Sequence, residues 1–154
     1  MPVLPIRIMG DPVLHAPAEP VTEITDEIRQ LVTDMYDTMD AAPGVGLAAP
    51  QVGVGLRIYV YTYQDDDGQA WRGEIINPEL WMRPLEPGSP DPDDESEGCL
   101  SFPGERFPLR RSDEVLVTGT DLTGSPVEIR VDGWRARIMQ HEFDHLDGIL
   151  YIDR

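Results

Sequence analysis

Two of the three histidines in this 154-residue sequence stand four residues apart near its end, in the pattern His-Glu-Phe-Asp-His at residues 141–145. Positions four apart on an α-helix lie almost one above the other, with Cβ atoms about 5–6 Å apart, so both imidazoles can reach one metal ion. Glu142 borders the same helix face and can contact a water there without ligating the metal. The pattern is short, and an ordinary surface helix that carries His and Glu explains it as well.

The residues around this pattern indicate that the helix face with the two histidines is buried. Trp134, Ile138, His141, His145 and Ile149 follow one another in steps of three or four residues and form one stripe. A charged imidazolium is costly to bury, so buried histidines are usually neutral and partnered, and metal coordination is one such partnership. A core histidine with ordinary hydrogen bonds is the alternative.

A catalytic metal site usually has three protein ligands and one open position, so one more ligand is needed. After His145 the sequence offers only Asp147 and Asp153, which directs the search upstream. Cys99 is the best candidate, because a thiolate binds transition metals well. It is the only cysteine in the sequence, which excludes an internal disulfide. His15 lies in a proline-rich arm and is expected not to be a ligand.

The charge and hydropathy of the sequence exclude several classes of protein. Lys and Arg number 12 against 29 Asp and Glu, for a net charge of −17, whereas a nucleic-acid binder needs a basic surface. No apolar run has the roughly 18–20 residues that a membrane span requires, and the N-terminus lacks the apolar stretch of a secretory signal. We therefore expect a cytoplasmic protein with a single domain over residues 1–154, and neither nucleic acid nor a membrane as partner.

Two segments have the periodicity of amphipathic helices. The first follows Thr25, a good N-cap, and ends before residues 43–44, Pro-Gly. Its apolar stripe consists of Ile28, Leu31, Val32, Met35 and Met39. The second helix carries the histidine pair, begins after the N-cap Asp132 and ends before Gly148.

The remaining segments predict strands and turns. Clusters of β-branched and aromatic residues indicate strands at residues 56–61, 75–76, 115–120, 127–131 and 149–152. Turns are expected at residues 65–68 and 77–78, and a solvent-facing acidic loop at residues 83–97. Because the strands and the two helices are segregated along the chain, we expect an α+β fold.

Residues 44–51, Gly-Val-Gly-Leu-Ala-Ala-Pro-Gln, form another conspicuous segment. Small residues let a backbone approach a ligand closely, and Gln51 offers an amide donor. A closely packed turn explains the same residues, and the spacing matches neither a P-loop nor a dinucleotide-binding loop.

Together and in this order, three segments resemble the peptide deformylase family. The family motifs G-x-G-L-A-A-x-Q, E-G-C-L-S and Q-H-E-x-D-H stand at residues 44–51, 97–101 and 140–145. Residues 10–14 also look like the N-terminal segment of the family, so the resemblance covers nearly the whole chain. It implies antiparallel strands packed around a central metal-binding helix, with one further N-terminal helix. It also implies a metallohydrolase that removes the N-formyl group from the N-terminal methionine of newly synthesised polypeptides.

The resemblance implies a role for each site residue. The metal ligands are Cys99, His141 and His145, and the metal is commonly Fe²⁺, for which Zn²⁺, Ni²⁺ or Co²⁺ can substitute. Glu142 is the general base that activates a metal-bound water and then the acid that protonates the leaving amine.

The resemblance also assigns residues to the oxyanion hole and the substrate pocket. Gln51 and the backbone N–H of Leu100 stabilise the oxyanion, and Gly46 binds the substrate backbone. The methionine side chain is expected to contact Val45, Trp134 and Ile138.

Two departures from the family pattern accompany these expectations. The C-terminal helix or strand that usually follows the metal helix does not follow Arg154, so any association with the ribosome that depends on it stays open. The acidic segment at residues 84–95 is longer than the family pattern requires.

Two other functions are compatible with parts of the sequence. A zincin-like metallopeptidase shares the H-E-x-x-H pattern, but it needs a third ligand other than Cys99. An inactive homologue that serves as a binding module would be expected to lack a ligand or Glu142, and both are present.

Overall fold

The computed structural model describes residues 3–64, 68, 70–84 and 95–150. These residues form two α-helices, α1 (Asp26–Ala41) and α2 (Gly133–Leu146). The strands are β1 (Gly46–Ala48), β2 (Ile58–Gln64), β3 (Ala70–Met82), β4 (Ser96–Cys99), β5 (Phe102–Pro108), β6 (Glu114–Thr120) and β7 (Pro126–Asp132). Short 3₁₀ helices span Pro12–His15 and Ala49–Val52.

Five strands form one antiparallel sheet in the order β1-β2-β3-β6-β7, and β4 pairs with β5 in a separate hairpin. Side chains alternate between the two faces of a strand, and β2 shows this clearly. Its residues Tyr59 and Tyr61 pack with α2, whereas Ile58 and Val60 pack with α1. The large sheet therefore separates two hydrophobic layers, each covered by one helix.

The sequence of α1 explains both its start and its packing. Thr25 is the N-cap, and its side-chain oxygen accepts a hydrogen bond from the backbone N–H of Ile28 at 3.3 Å. Val32, Met35 and Met39 are completely buried against the sheet. Burial of each such side chain contributes roughly 1.5–3 kcal/mol. The predicted helix is confirmed.

The end of α2 is fixed by a glycine. Gly148 has φ +77°, and a Cβ atom there would lie 2.8 Å from the backbone of Ala16, so a side chain would be both strained and blocked. The backbone N–H of Ala18 donates to the carbonyl of Leu146 at 2.7 Å. The N-terminal arm is thereby held against the end of the helix that carries the histidine pair.

Some local expectations are wrong. No turn forms at Asn77 and Pro78, because β3 continues through them with a shift of register between Ile76 and Glu79. Asn77 takes φ 53°, and its side chain bonds the backbone N–H and carbonyl of Val21. A bulge accommodates Pro78, which has no N–H to donate to the sheet.

Other local predictions are settled only in part. Ile149 and Leu150 are not in a strand, and residues 151–152 lie outside the described residues. Residues 65–67 of the predicted turn and residues 85–94 of the predicted loop also lie outside the described residues. The loop was predicted to extend to residue 97, but β4 already begins at Ser96. The hairpin of β6 and β7 forms as predicted.

The predicted α+β fold is confirmed, with antiparallel strands around α2 and one helix nearer the N-terminus. In the part of the chain that the structure describes, neither helix combines the length and the apolar character that crossing a bilayer requires.

Candidate active site

Three donor atoms from two elements converge beside α2. Cys99 ends β4, and its Sγ lies 3.4 Å from Nε2 of His145. The Nε2 atoms of His141 and His145 are 3.2 Å apart. All three donor atoms lie within 4.8 Å of one another. The structure thus brings together the three residues that the sequence analysis selected as metal ligands.

Local backbone features explain this convergence. One helical turn of α2 separates the two histidines, which places their rings on the same side, with centroids 4.9 Å apart. The pairing of β4 with β5 shifts register between Gly98 and Cys99. Such irregularities redirect a side chain at the end of a strand.

The donor set fits a divalent transition metal. Two imidazole nitrogens about 2.1 Å from one tetrahedral ion are roughly 3.4 Å apart, close to the separation found here. One thiolate with two imidazoles suits zinc, iron, nickel or cobalt better than magnesium or calcium. Cys99, His141 and His145 can therefore hold such an ion with little rearrangement.

The two imidazoles differ in their surroundings. Burial, together with nearby His141, lowers the pKa of His145 well below its usual value, so this ring is neutral. Burial also lowers the pKa of His141, but its hydrogen bonds with Cys99 and Glu97 outweigh burial and raise the pKa to about 10. A metal at this site would bind the neutral ring and would therefore displace the proton of His141.

Glu142 points into the same site from α2. Its side chain is buried, and Oε2 has no hydrogen-bond partner among the described residues. Burial raises the pKa of Glu142 to about 7. Its other oxygen packs against Gly46, where a Cβ atom would lie only 2.6 Å from Oε1. Gly46 thus leaves the room that the Glu142 carboxylate occupies.

Gln51 lies beside the sulfur of Cys99. Its Oε1 accepts a hydrogen bond from the backbone N–H of Ala48 at 3.0 Å, which directs the amide nitrogen toward the site. That nitrogen is 3.7 Å from Sγ of Cys99 and donates to the Ser101 hydroxyl at 3.2 Å. Since Gln51 is almost completely buried, its amide is held in one orientation.

A cleft of about 350 Å³ opens onto these groups. Val45 and Trp134, both partly exposed, lie at its rim, and Ile138 forms a buried part of its wall. Gly46 and Leu100 also line the cleft. The substrate-pocket residues expected from the sequence therefore border one cavity, together with Glu142, His141 and Cys99.

A buried charge cluster, which local sequence patterns do not predict, lies next to the site. Glu97 receives two hydrogen bonds from Arg111, at 2.8 and 2.9 Å, and one from Arg137, at 2.7 Å. Arg111 also bonds Asp144. Burial alone raises the pKa of Glu97, but the bonds from Arg111 and His141 outweigh it and hold the pKa well below its usual value. Glu97 is therefore a carboxylate.

This carboxylate sets the orientation of one histidine. Oε1 of Glu97 lies 2.8 Å from Nδ1 of His141, so Nδ1 donates its proton and Nε2 faces the other donor atoms. Such partners fix the tautomer and the ring plane of a metal-binding histidine.

His15 lies apart from the site, as expected. Its Nε2 accepts a hydrogen bond from the backbone N–H of Gly10 within the N-terminal arm. Among the described residues, the cluster suited to a metal contains Cys99, His141 and His145 and not His15.

Known proteins resemble this chain over its whole length. The family model described as polypeptide deformylase matches residues 3–154. A peptide deformylase of Mycolicibacterium paratuberculosis is 53% identical over 161 residues, which cover 100% of this chain and 82% of that protein. One of Rhodococcus opacus is 54% identical over 157 residues, which cover 99% and 80%.

Solved structures agree with these similarities. The crystal structure of a peptide deformylase from Ehrlichia chaffeensis has a TM-score of 0.88 at 35% identity, with 98% of this chain and 87% of that chain covered. The structure of the Thermotoga maritima peptide deformylase has a TM-score of 0.82 at 41% identity, with 100% and 98% covered. The chain belongs to the peptide deformylase family and is a metal-dependent hydrolase that removes the formyl group from N-terminal methionine.

Proposed function

We propose that deformylation takes place in the cleft beside α2, with Cys99, His141 and His145 as the metal ligands and Glu142 as the proton carrier. The observation that supports this most is the convergence of three donor atoms next to a buried, unpartnered oxygen of Glu142. Residues 1–154 act as one catalytic domain in this proposal.

The metal in this proposal is Fe²⁺, with Zn²⁺, Ni²⁺ and Co²⁺ as substitutes, because the occupant of such a site depends on metal availability as well as affinity. When bound, the metal acts as a Lewis acid on the formyl carbonyl and lowers the pKa of a water. The protein residues supply the remaining requirements of the reaction.

Glu142 moves the proton. Its pKa of about 7 suits a group that accepts a proton from the attacking water and returns it at neutral pH. Water adds to the formyl carbon, the C–N bond breaks, and the proton passes from Glu142 to the leaving amine. The products are formate and a free N-terminal methionine.

Gln51 and the backbone N–H of Leu100 stabilise the negative charge that develops on the formyl oxygen. The fixed orientation of the Gln51 amide supports this role, because a donor that is already in place need not reorganise during the reaction. A single donor of this kind typically contributes about 3–4 kcal/mol to the lowering of the barrier.

The substrate lies along β1 in this proposal. β1 is at one end of the strand order, so one edge of its backbone can pair with an extended peptide, and Gly46 is the residue that binds the substrate backbone. The methionine side chain contacts Val45, Trp134 and Ile138, which provide apolar surface along the cleft.

The physiological substrates are the N-formylmethionyl ends of nascent chains in the cytoplasm. Direct binding to nucleic acid is not part of the proposal, because a net charge of −17 repels a phosphate backbone.

The test is the release of formate from a formyl-Met peptide by the Ni²⁺-loaded protein. We expect acetyl-Met peptide to react far more slowly, because its carbonyl carbon carries a methyl group in place of hydrogen and the space between Gly46 and Glu142 is already tight. Glu142→Gln is the matched control: it should keep the metal, while kcat falls by about 10²-fold or more. Equal rates on both substrates, or digestion of casein at internal bonds, would contradict the proposal in favour of a general metallopeptidase.

A further inference from the structure

Arg137 stands one helical turn before His141 on α2 and lies between the cleft and the buried charge cluster. Its side chain is only 9% exposed. It borders the cleft near Trp134, whose ring centroid is 5.7 Å from the guanidinium carbon. Nη1 donates to the carbonyl of Leu109 at 2.8 Å and to Oε2 of Glu97 at 2.7 Å.

The contacts of Glu97 show what this guanidinium does. Oε1 faces Nδ1 of His141 and accepts from Nη2 of Arg111, whereas Oε2 accepts from Nε of Arg111 and from Nη1 of Arg137. A carboxylate is planar, so the bonds to Oε2 also determine where Oε1 points. Arg137 therefore restrains the oxygen that orients His141.

The charges of the cluster support the same conclusion. Glu97 and Asp144 contribute two buried carboxylates, and Arg111 and Arg137 contribute two buried guanidiniums. If Arg137 is removed, Glu97 loses one of its two guanidinium partners, and the other, Arg111, also bonds Asp144. Buried charges that lose a partner are strongly destabilised, so the position of Glu97 is expected to change.

We propose that Arg137 is a positioning residue that holds Glu97 against His141 and also holds Trp134 at the wall of the cleft. Metal retention and substrate binding are thereby coupled through one side chain. This inference rests on the proposed function, since it takes His141 as a metal ligand and Trp134 as part of the methionine pocket.

The first test measures metal affinity. Arg137→Leu should bind Ni²⁺ about 10–100-fold more weakly in competition with a chromophoric chelator. Arg135→Leu is the matched control, because Arg135 lies on the same helix but stacks over Tyr63 and Trp71 at 5.7 Å, outside the site. This control should keep wild-type affinity.

The second test measures KM and kcat with saturating Ni²⁺. In Arg137→Leu the KM for a formyl-Met peptide should rise about 2–5-fold, because the cation–π contact with Trp134 is lost, while kcat falls less. Trp134→Leu should raise KM without weakening Ni²⁺ binding. A purely structural ion pair would lower thermal stability and leave both KM and metal affinity unchanged.

A double-mutant cycle tests whether Arg137 affects Ni²⁺ affinity through Glu97 or independently of it. If Arg137 acts through Glu97, the loss of Ni²⁺ affinity caused by Arg137→Leu should shrink when it is made in a Glu97→Gln background. If Arg137→Leu does not fold, Arg137→Lys decides in its place, and a loss of about tenfold in affinity supports the proposal.

Wild-type Ni²⁺ affinity in the Arg137 variants, beside normal formate release by the wild-type protein, would overturn this inference alone. A wild-type protein that holds no Ni²⁺ and releases no formate would overturn the proposed function as well.

Discussion

Helices α1 and α2 pack against opposite faces of the same sheet, but their buried polar side chains differ in number and in partners. α1 buries Val32, Met35 and Met39 completely, and its two buried polar residues, Asp34 and Thr38, bond within the helix or to the backbone of the N-terminal arm. α2 buries apolar side chains and five polar or charged ones, which are Arg137, Gln140, Glu142, Asp144 and His145. The buried charges of α2, in contrast, depend on side chains of other elements, since Asp144 pairs with Arg111 and Arg137 pairs with Glu97.

The difference between the helices reflects their functions. α1 supplies no residue to the lining of the cleft, and α2 supplies Trp134, Arg137, Ile138, His141 and Glu142. Burial raises the pKa of Glu142, the proton carrier of the proposed reaction, to about 7. The charges that surround it must then be compensated by other buried charges, and the β4–β5 hairpin provides Glu97 for this purpose.

We expect the largest loss of stability when the Glu97 carboxylate, which pairs with the buried guanidiniums, is removed. Glu97→Ala leaves Arg111 and Arg137 without their common partner, and the free energy of unfolding should fall by about 3–5 kcal/mol. Urea denaturation followed by circular dichroism measures this change. Glu97→Gln, which keeps the shape and one acceptor, should cost less. A loss below about 1 kcal/mol in Glu97→Ala would mean that α2 does not depend on compensated charges.

A comparable loss of stability on α1 should leave the reaction intact. Met35 is completely buried in the layer between α1 and the sheet, so Met35→Ala should lower the free energy of unfolding by roughly 2–5 kcal/mol. At a temperature where the variant is folded, its kcat/KM for a formyl-Met peptide should equal that of the wild type. A tenfold fall in kcat/KM would show that the two faces of the sheet are not independent.

β1 lies between the two helices and allows a smaller, local test. Leu47 packs in the α1 layer, and its neighbour Gly46 contacts Glu142 of α2. In Gly46→Ala the new methyl group overlaps Oε1 of Glu142, so kcat should fall about 10–100-fold while the metal content stays normal. Gly55→Ala is the control, since nothing lies within 4 Å of the position of its Cβ. An unchanged kcat in Gly46→Ala would show that the contact with Glu142 does not require a glycine at position 46.

The smallest effect concerns how the two helices begin. The side chain of Thr25 caps α1 through the N–H of Ile28, whereas the side chain of Asp132 makes no capping bond to α2. Thr25→Ala should therefore lower the free energy of unfolding by about 1 kcal/mol, and Asp132→Ala by less. Equal losses in the two variants, measured by urea denaturation, would contradict this assignment of the caps.

Local sequence patterns predict those parts of the molecule that local interactions determine. Contacts between neighbours along the chain determine helix α1 and the hairpin of β6 and β7, and both are found as predicted. The helix geometry of α2 likewise places the rings of His141 and His145 on the same side, as predicted. Asn77 and Pro78 form a typical turn pair, but pairing of β3 with its neighbours overrides the turn. Long-range pairing of this kind is not visible in a local pattern.

The charge cluster escapes a local analysis for the same reason. Glu97 lies in β4 and Arg111 follows β5, so the pairing of these two strands brings them together, and the packing of the hairpin beside α2 adds Arg137 and Asp144. The sequence contains one indication of this cluster. Arg137 stands four residues before His141, on a helix face that the sequence predicts to be buried. A buried guanidinium requires a carboxylate, and Glu97, beside Cys99 in the family motif, was available.

In the proposed site, His141 and His145 of α2 hold one metal ion together with Cys99. X-ray absorption at the metal edge of the Ni²⁺-loaded protein tests this directly. We expect one metal per chain with one sulfur and two imidazole nitrogens as protein ligands, and loss of the sulfur signal together with most of the metal in Cys99→Ala. A first coordination sphere of nitrogen and oxygen alone, or full metal content in Cys99→Ala, would contradict it.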